Sequence, residues 1–426
     1  MANQKQVERL ERSVEEWNHW RIDNPDEEID LGNTLLLGAD LTNANLSKAN
    51  LNSTDLSGAN LNGANISDAN LSHASLRDTN LTDAVLSNAN LNRVNFRRSH
   101  LTEGTVIADK WRLVHTLINE GGVERNLSST DLRNADLRNT DLTEANLTKV
   151  NLSHALLNNT DLRFANLSHA ILERAYLANA SLNHAVLVES RLSYADLMGA
   201  DLSHTCLDRA NFSHARLREA NLCYARLTHT QLSYADLSAT QVLQTLFEQT
   251  MLTGACVEDW QIGGSTTFDS VQCDYIFRAY KTDENRFTNR LPVDPNSTFK
   301  PGEFEQWIKV RQGALDTIDI TFTEGIDWQA FFQSLQAVRQ QHPEANVTMK
   351  AVEEEGGAFV ARLKVETELT GEERESLKAL VERDVKAFYD RQLAAAHGEI
   401  RALERSLNNA MGKLAMTSKG SVAKIK

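Results

Sequence analysis

Proline is almost missing from this chain of 426 residues. It occurs five times, at Pro25, Pro292, Pro295, Pro301 and Pro343, and nowhere between residues 31 and 262. A stretch that long without proline keeps every backbone N–H available, as a fold held together by bonds between neighbouring backbone segments requires. Cysteine is scarce too: Cys206, Cys223, Cys256 and Cys273 show neither CxxC spacing nor a histidine pair at zinc-ligand distance. Reduced thiols are expected, with no disulfide and no metal. There is no basic excess, since 44 Lys and Arg face 58 Asp and Glu for a formal charge of −14. A phosphate-backbone binder needs that excess to release counterions, so no direct nucleic-acid binding is expected, although a basic partner stays open. No run of about 18 apolar residues occurs, and the first twenty residues mix charges without an apolar core. The expectation is a cytoplasmic protein without a membrane span or secretory leader. No GxGxxG, Walker, HExxH or GxSxG motif is present, so no enzyme and no cofactor are expected.

What is abundant is a period of five. Every fifth residue from Leu31 to Val106 is apolar, giving sixteen centres, and a second run from Leu127 to Ile262 gives twenty-eight. Two places before each centre the residue is small, as in Ala39, Ala44, Ala49 and Thr54; just before it stands mostly Asn or Asp. Five fits neither the 3.6 of a helix nor the 2 of a strand. If the chain turns by about a quarter circle per unit, every centre points to one axis and four units close a coil of twenty residues. Stacked coils then bury a continuous leucine ladder, and the small residue shares the narrow interior.

Units such as ADLTN, ANLSK and ADLRN resemble the pentapeptide-repeat family, whose consensus is A(D/N)LXX. That resemblance implies a right-handed quadrilateral β-helix, hence a mainly β chain. At a strand-like spacing of about 4.8 Å per coil, eleven coils would make a rod roughly 50 Å long.

The rest of the chain divides around these runs. Residues 1–30 carry Val7, Leu10, Val14 and Trp17 at helical spacing, so one helix over residues 3–22 is predicted to cap the rod. The first run, 31–106, and the second, 127–262, are separated by an insert over 107–126 and are out of phase by one residue. In DKWRLVHTLINEGG, Asp109 is predicted to cap a helix whose stripe is Trp111, Val114, Leu117 and Ile118, and Gly121 to end it. The helix packs back on the rod, or alternatively serves as an exposed docking helix. The KWRLV…LIN segment resembles an insert in pentapeptide-repeat proteins of cyanobacteria. Trp260 replaces a small residue as a lid, and residues 263–312 read as an irregular cap and connector. Residues 313–370 read as a small α+β domain: a strand from Leu315 to Phe322, a helix from Trp328 to Gln341, and a hairpin of Asn346–Glu353 with Ala358–Val365. Residues 371–426 form a long helix and tail, in which Leu393, Ala396, Ile400, Leu403, Leu407, Ala410 and Leu414 follow the 3.5 period of a coiled coil. A homo-oligomer through this helix, or a helix packed on its own domain, are the two readings. The segments VQCDYIF, PGEF and GIDWQAFF resemble C-terminal regions of cyanobacterial pentapeptide-repeat proteins, with no activity implied.

Function is therefore expected on the surface. Two places after a centre the side chain should face water, and steps of twenty stack such positions in columns. One column reads His154, Arg174, Tyr194, His214 and Tyr234, and the opposite one Phe164, His184, His204 and Tyr224. Tyrosine and arginine are enriched at binding hot spots, so these columns are candidate partner-binding faces; stiffening of neighbouring coils is the competing reading. The leading expectation is a non-enzymatic scaffold for protein partners. Family resemblance raises a second, a DNA mimic that binds gyrase, which needs a dense negative surface. Residues 31–262 hold 18 basic and 24 acidic side chains, a weak excess for that role. A third reading leaves an unrecognised activity in the C-terminal domain.

Overall fold

The computed structural model describes residues 2–263, 266–281, 283–284, 286–314, 317–322, 328–343, 345–355, 358–366, 377 and 379–391. The chain divides into two compact units, Met1–Gln306 and Trp307–Lys426.

In the first unit each block of five residues makes one bridge and one turn. Bridging residues pair in parallel with the residue twenty positions on, as in Asn45 with Asn65 and Asp161 with Ser181. The amide of Leu46 donates to the carbonyl of Asn65 at 2.7 Å, while the carbonyl of Leu46 accepts the N–H of Ala49 at 3.2 Å and closes the turn. The residue before that N–H is left-handed, with φ of 59° at Lys48. Four such turns make one coil.

The composition of the repeat follows from this geometry. Leu162, Leu202 and most other centres are fully buried, as are the small residues Ala44, Ala155 and Ala210. A buried hydroxyl must be hydrogen-bonded. Thr160 donates to the carbonyl of Leu137 at 2.9 Å and Thr230 to that of Leu207 at 2.8 Å, each a centre one coil below. Ahead of the centre, Asn45 Oδ1 accepts the amide and hydroxyl of Ser47. Asparagines also bond between coils: Asn80 donates to Asn60 and Asn146 to Asn126, both at 3.0 Å.

Several expectations need correction. The N-terminal helix is two helices, α1 (Gln4–Arg12) and α2 (Val14–Asp23). Ser13 breaks the run because its hydroxyl accepts the N–H of Glu16 at 3.2 Å, a stronger start signal than the apolar spacing that spans it. Val106 is not an inward centre: it bridges Val85 and is 49% exposed, while Ile107 is buried. The phase slip lies before Val106, at Gly104, where a Cβ would collide with the Asp83 carboxylate. The insert helix α3 (Asp109–Glu120) is capped by the backbone of Ala108 rather than by the Asp109 side chain, and it ends at Gly121 with φ of 83°. Trp111, Val114 and Leu117 are buried, so α3 packs inward, with Ile118 half-buried. The two runs meet where the N–H of Arg93 donates to the carbonyl of Asn134 at 2.7 Å.

The described residues of 263–312 hold more regular structure than an irregular connector. The bridge step changes from 20 to 21, so β1 (Leu246–Glu248) pairs in parallel with β2 (Thr267–Asp269), and Met251 bridges Gln272. The single added residue hides this coil from a period-five reading. Phe268 stacks on Phe247 at 4.8 Å and, with Trp260, fills the end of the leucine ladder. β3 (Ile276–Lys281) and β4 (Arg286–Leu291) follow as an antiparallel pair, and α4 covers Glu303–Ala314.

In the second unit β5 (Thr317–Phe322), β6 (Asn346–Glu355) and β7 (Ala358–Glu366) form an antiparallel sheet in the order β5-β7-β6. Helix α5 (Trp328–Gln341) buries Phe331, Leu335 and Val338, a helical stripe, in one core with Ile320, Val347 and Leu363. Residues 379–391 are helical and add Val381, Val385 and Tyr389 to it. His342 Nε2 lies 2.9 Å from Asp384 Oδ2, pinning this helix to the end of α5 and holding the Asp384 carboxyl below its ordinary range. The seam from Leu393 to Leu414 lies outside the described residues.

Candidate functional site: two ring columns on the second run

The positions two places after a centre share one backbone conformation. His154, Tyr194, His214 and Tyr234 all have φ of 60°, and Phe164, His184, His204 and Tyr224 have φ of 57° to 63°. Glycine and asparagine adopt this region readily; a bulky side chain costs about 1 kcal/mol there. The turn forces the side chain outward, and the twenty-residue coil sets each one directly over the last.

The opposite column is a continuous stack. Phe164 and His184 have ring centroids 4.9 Å apart, His184 and His204 4.7 Å, and His204 and Tyr224 4.6 Å, all within 8° of parallel. In the first column Tyr194, His214 and Tyr234 stack at 4.7 and 4.9 Å, and the Arg174 guanidinium lies 5.2 Å from the Tyr194 ring. His154 stands outside this ring stack, and its carbonyl accepts from Arg93 at 3.4 Å. Aromatic pairs of this kind contribute about 0.5–1.5 kcal/mol beyond area burial, enough to offset the left-handed backbone. The rings remain open to solvent: Phe164 and Tyr194 are each 53% exposed. Because their faces are stacked on one another, the columns present ring edges, with phenol and imidazole donors in line.

The first column extends further than the period suggests. Gly254 follows Tyr234, and a Cβ there would lie 2.6 Å from the Tyr234 ring. Beyond it a hydrogen bond with Tyr234 raises the Tyr275 phenol, whose ring lies 4.2 Å from the Arg290 guanidinium. Tyr275 escapes a step of twenty because the step has become 21. Arg93, 5.2 Å from the Tyr176 ring, adds a cation from the first run that the columns gave no reason to include.

Several acidic groups of the second run are neutralised in place. Asp131 pairs with Arg133 at 2.9 Å, Asp161 with Arg163 at 2.7 Å, Asp196 with Arg216 at 3.1 Å and Asp208 with Arg226 at 2.6 Å. The hydrogen bond from Arg133 draws the Asp131 carboxyl down to about 2. Burial pushes the Cys256 and Cys273 thiols up, against thiolate chemistry. Among the described residues no group of three His, Cys, Asp or Glu is placed to hold a metal ion, and no helix is long and apolar enough to cross a membrane.

Comparison with known proteins agrees with the repeat. Residues 30–105 match the family model of a pentapeptide repeat region, and residues 126–163, 160–197, 195–232 and 205–240 match that of pentapeptide repeats in eight copies. Among solved structures, the chain is similar to HetL of the cyanobacterium Nostoc sp. strain PCC 7120, a pentapeptide repeat protein involved in heterocyst differentiation regulation. The identity is 25% over 61% of this chain and 90% of that one, with a TM-score of 0.19. QnrB1, a plasmid-mediated fluoroquinolone resistance protein, is 12% identical over 57% of this chain and 92% of its own, with a TM-score of 0.19. The pentapeptide repeat protein Rfr23 of the cyanobacterium Cyanothece 51142 is 29% identical over 28% of this chain and 64% of its own, with a TM-score of 0.10. No curated protein matches the chain in sequence. With its five-residue period, its twenty-residue bridge step and these family matches, both runs of the chain are pentapeptide repeats, over residues 30–105 and 126–240.

Proposed function

We propose that this chain is a non-enzymatic, cytoplasmic scaffold that binds protein partners along the ring columns of its second run. Pentapeptide-repeat proteins fold as right-handed β-helices and are generally non-enzymatic repeat scaffolds; a right-handed, four-sided coil here is consistent with the parallel bridge step of twenty. The observation that carries the reading is the pair of exposed stacks. The same position in the first run is mostly small or polar, as at Asn43, Lys48, Ser53, Gly58 and Asp68, with His73, Arg93 and Arg98 the bulkier members and no aromatic ring stack among the described residues. Large rings held outward at a conformational cost fit contact faces, where aromatic side chains bury much area at little entropy loss. The C-terminal unit oligomerises the scaffold through the seam after Arg391.

A photo-crosslinking side chain placed at Tyr194 or Phe164 tests this in cells, with Ser53 as reference. Partner adducts from 194 or 164 and none from 53 are expected. Replacing Arg174, His214 and Tyr234 together by serine removes the adducts made from position 194. Equal adducts from all three sites, or adducts that survive in a folded triple variant, reject the assignment of that column.

The DNA-mimic reading is weaker, because the acidic excess of the rod is small and several of its acids are paired with arginines. A gyrase supercoiling assay unaffected by the protein is the expected outcome.

A further inference from the structure

A coil at the start of a rod has no coil below it, so its bridging residues Asp30, Leu35, Asp40 and Asn45 need other partners. Two of them have these. The N–H of Asp30 donates to Gln6 Oε1 at 2.9 Å and its carbonyl accepts the N–H of Asn3 at 2.8 Å. The N–H of Asn45 donates to Asn18 Oδ1 at 2.8 Å and its carbonyl accepts Trp17 Nε1 at 2.9 Å. Higher up, these same groups are taken by the coil below: Asn65 donates to the Ala44 carbonyl and accepts from Leu46. The helices α1 and α2 thus replace a coil on two of its four sides. At Leu35 and Asp40 no group among the described residues takes the backbone N–H or C=O downward, and the edge is open among them.

That open half carries two departures from the repeat. Position 35 is Leu where Asp30, Asp40, Asn45, Asn50 and Asp55 stand at the equivalent place, and position 37 is Leu where Thr42, Ser47, Asn52 and Ser57 stand. Leu35 is 71% exposed and Leu37 58%. Ile22, at the end of α2, is 74% exposed and lines a groove with His19, Thr42 and Asn43 beside the same edge. An unpaired strand edge flanked by exposed apolar side chains is a template for pairing.

We propose that the open half of this end is an association face for a second copy of the chain. The shape of the edge selects the partner. Leu35 and Asp40 lie on either side of a turn closed by the Ala39 N–H to Leu36 carbonyl bond, so a straight strand can pair with only one of them. A segment that turns after the same five residues can pair with both, and a second copy carries it. The other end of the rod is closed by β2 and the Phe247, Trp260 and Phe268 cluster. Like ends therefore meet, and this face by itself joins copies in pairs instead of growing into a filament.

Analytical ultracentrifugation of the full chain tests this, with the Leu35→Asp/Leu37→Ser double variant beside it. Both substitutions install residues the repeat already uses at those positions, which keeps the fold. Wild type is expected to reach twice the mass of the variant as concentration rises into the tens of micromolar. Amide exchange of wild type gives a second reading: the Leu35 and Asp40 amides exchange freely when dilute and become protected when concentrated. Equal mass for both proteins at every concentration, or free exchange of these amides throughout, overturns the proposal and leaves the leucines to a different partner.

Discussion

Threonine at the small position shows how closely a single residue depends on the coil beneath it. Thr160 is buried and donates to Leu137, whereas Thr140 is also buried and its hydroxyl has no partner among the described residues. The acceptor would be residue 117, but Leu117 belongs to α3 and its carbonyl takes the N–H of Gly121 at 3.0 Å. Thr140→Val is therefore expected to stabilise the protein by about 1 kcal/mol and Thr160→Val to destabilise it by about the same, because a buried polar group without a partner carries its desolvation penalty. Urea denaturation of the two variants gives both signs; equal shifts would contradict the account. Asp131 supplies a test by pH. Its carboxyl is drawn to about 2 by Arg133, below the ordinary value of about 3.9. A depressed folded-state value means that its contribution is complete above about pH 4 and is lost as pH falls toward 2. Asp131→Asn should flatten the pH dependence of stability in that window, by a small amount because the pair is partly exposed and screened.

At the scale of elements, helices serve this rod by side-chain amides as much as by apolar cover. Asn119 of α3 accepts the N–H of Arg98 at 2.6 Å and donates to the carbonyl of Phe96 at 3.2 Å, while His115 meets the Ser99 carbonyl and Arg112 those of Thr102 and Thr105. Asn18 and Gln6 work in the same two-way manner at the N-terminal end. An amide side chain has the donor and acceptor of a peptide bond, so it can stand in for a missing coil. Asn119→Ala is expected to cost about 1–3 kcal/mol by leaving Arg98 and Phe96 unpaired, which thermal and urea midpoints would record. An unchanged midpoint would mean that water replaces the amide.

For the whole molecule, two modes of self-association make separable claims. The 3.5-period seam from Leu393 to Leu414 predicts that removing residues 390–426 lowers the oligomeric state, and light scattering on both forms decides it. The Leu35 and Leu37 face acts at the opposite end of the chain, so its substitution should reduce the mass of the truncated form as well. A full-length protein that is already monomeric at micromolar concentration would assign the seam to its own domain and remove multivalency from the scaffold.

The sequence by itself determined the coil. A period of five with a large apolar centre and a small partner leaves one way to bury leucines without helix or flat sheet, and it placed His184 over His204 and Tyr194 over His214 before any coordinates. It also delimited α5 from Trp328 to Gln341, where the apolar spacing is helical throughout. Tertiary structure decided whatever depends on one added residue or on a group distant in the chain. The slip at Gly104 and the change of step after Gly263 each shift the register by one, and with it which residue faces in; that is why Val106 turns outward and Tyr275 falls outside a step of twenty. Bonds such as Asn18 to Asn45 or Arg93 to Asn134 join residues with no common period, so only folding brings them together. The open edge at Leu35 likewise arises from where α1 and α2 come to rest, since a repeat pattern specifies how coils stack but not how a stack ends.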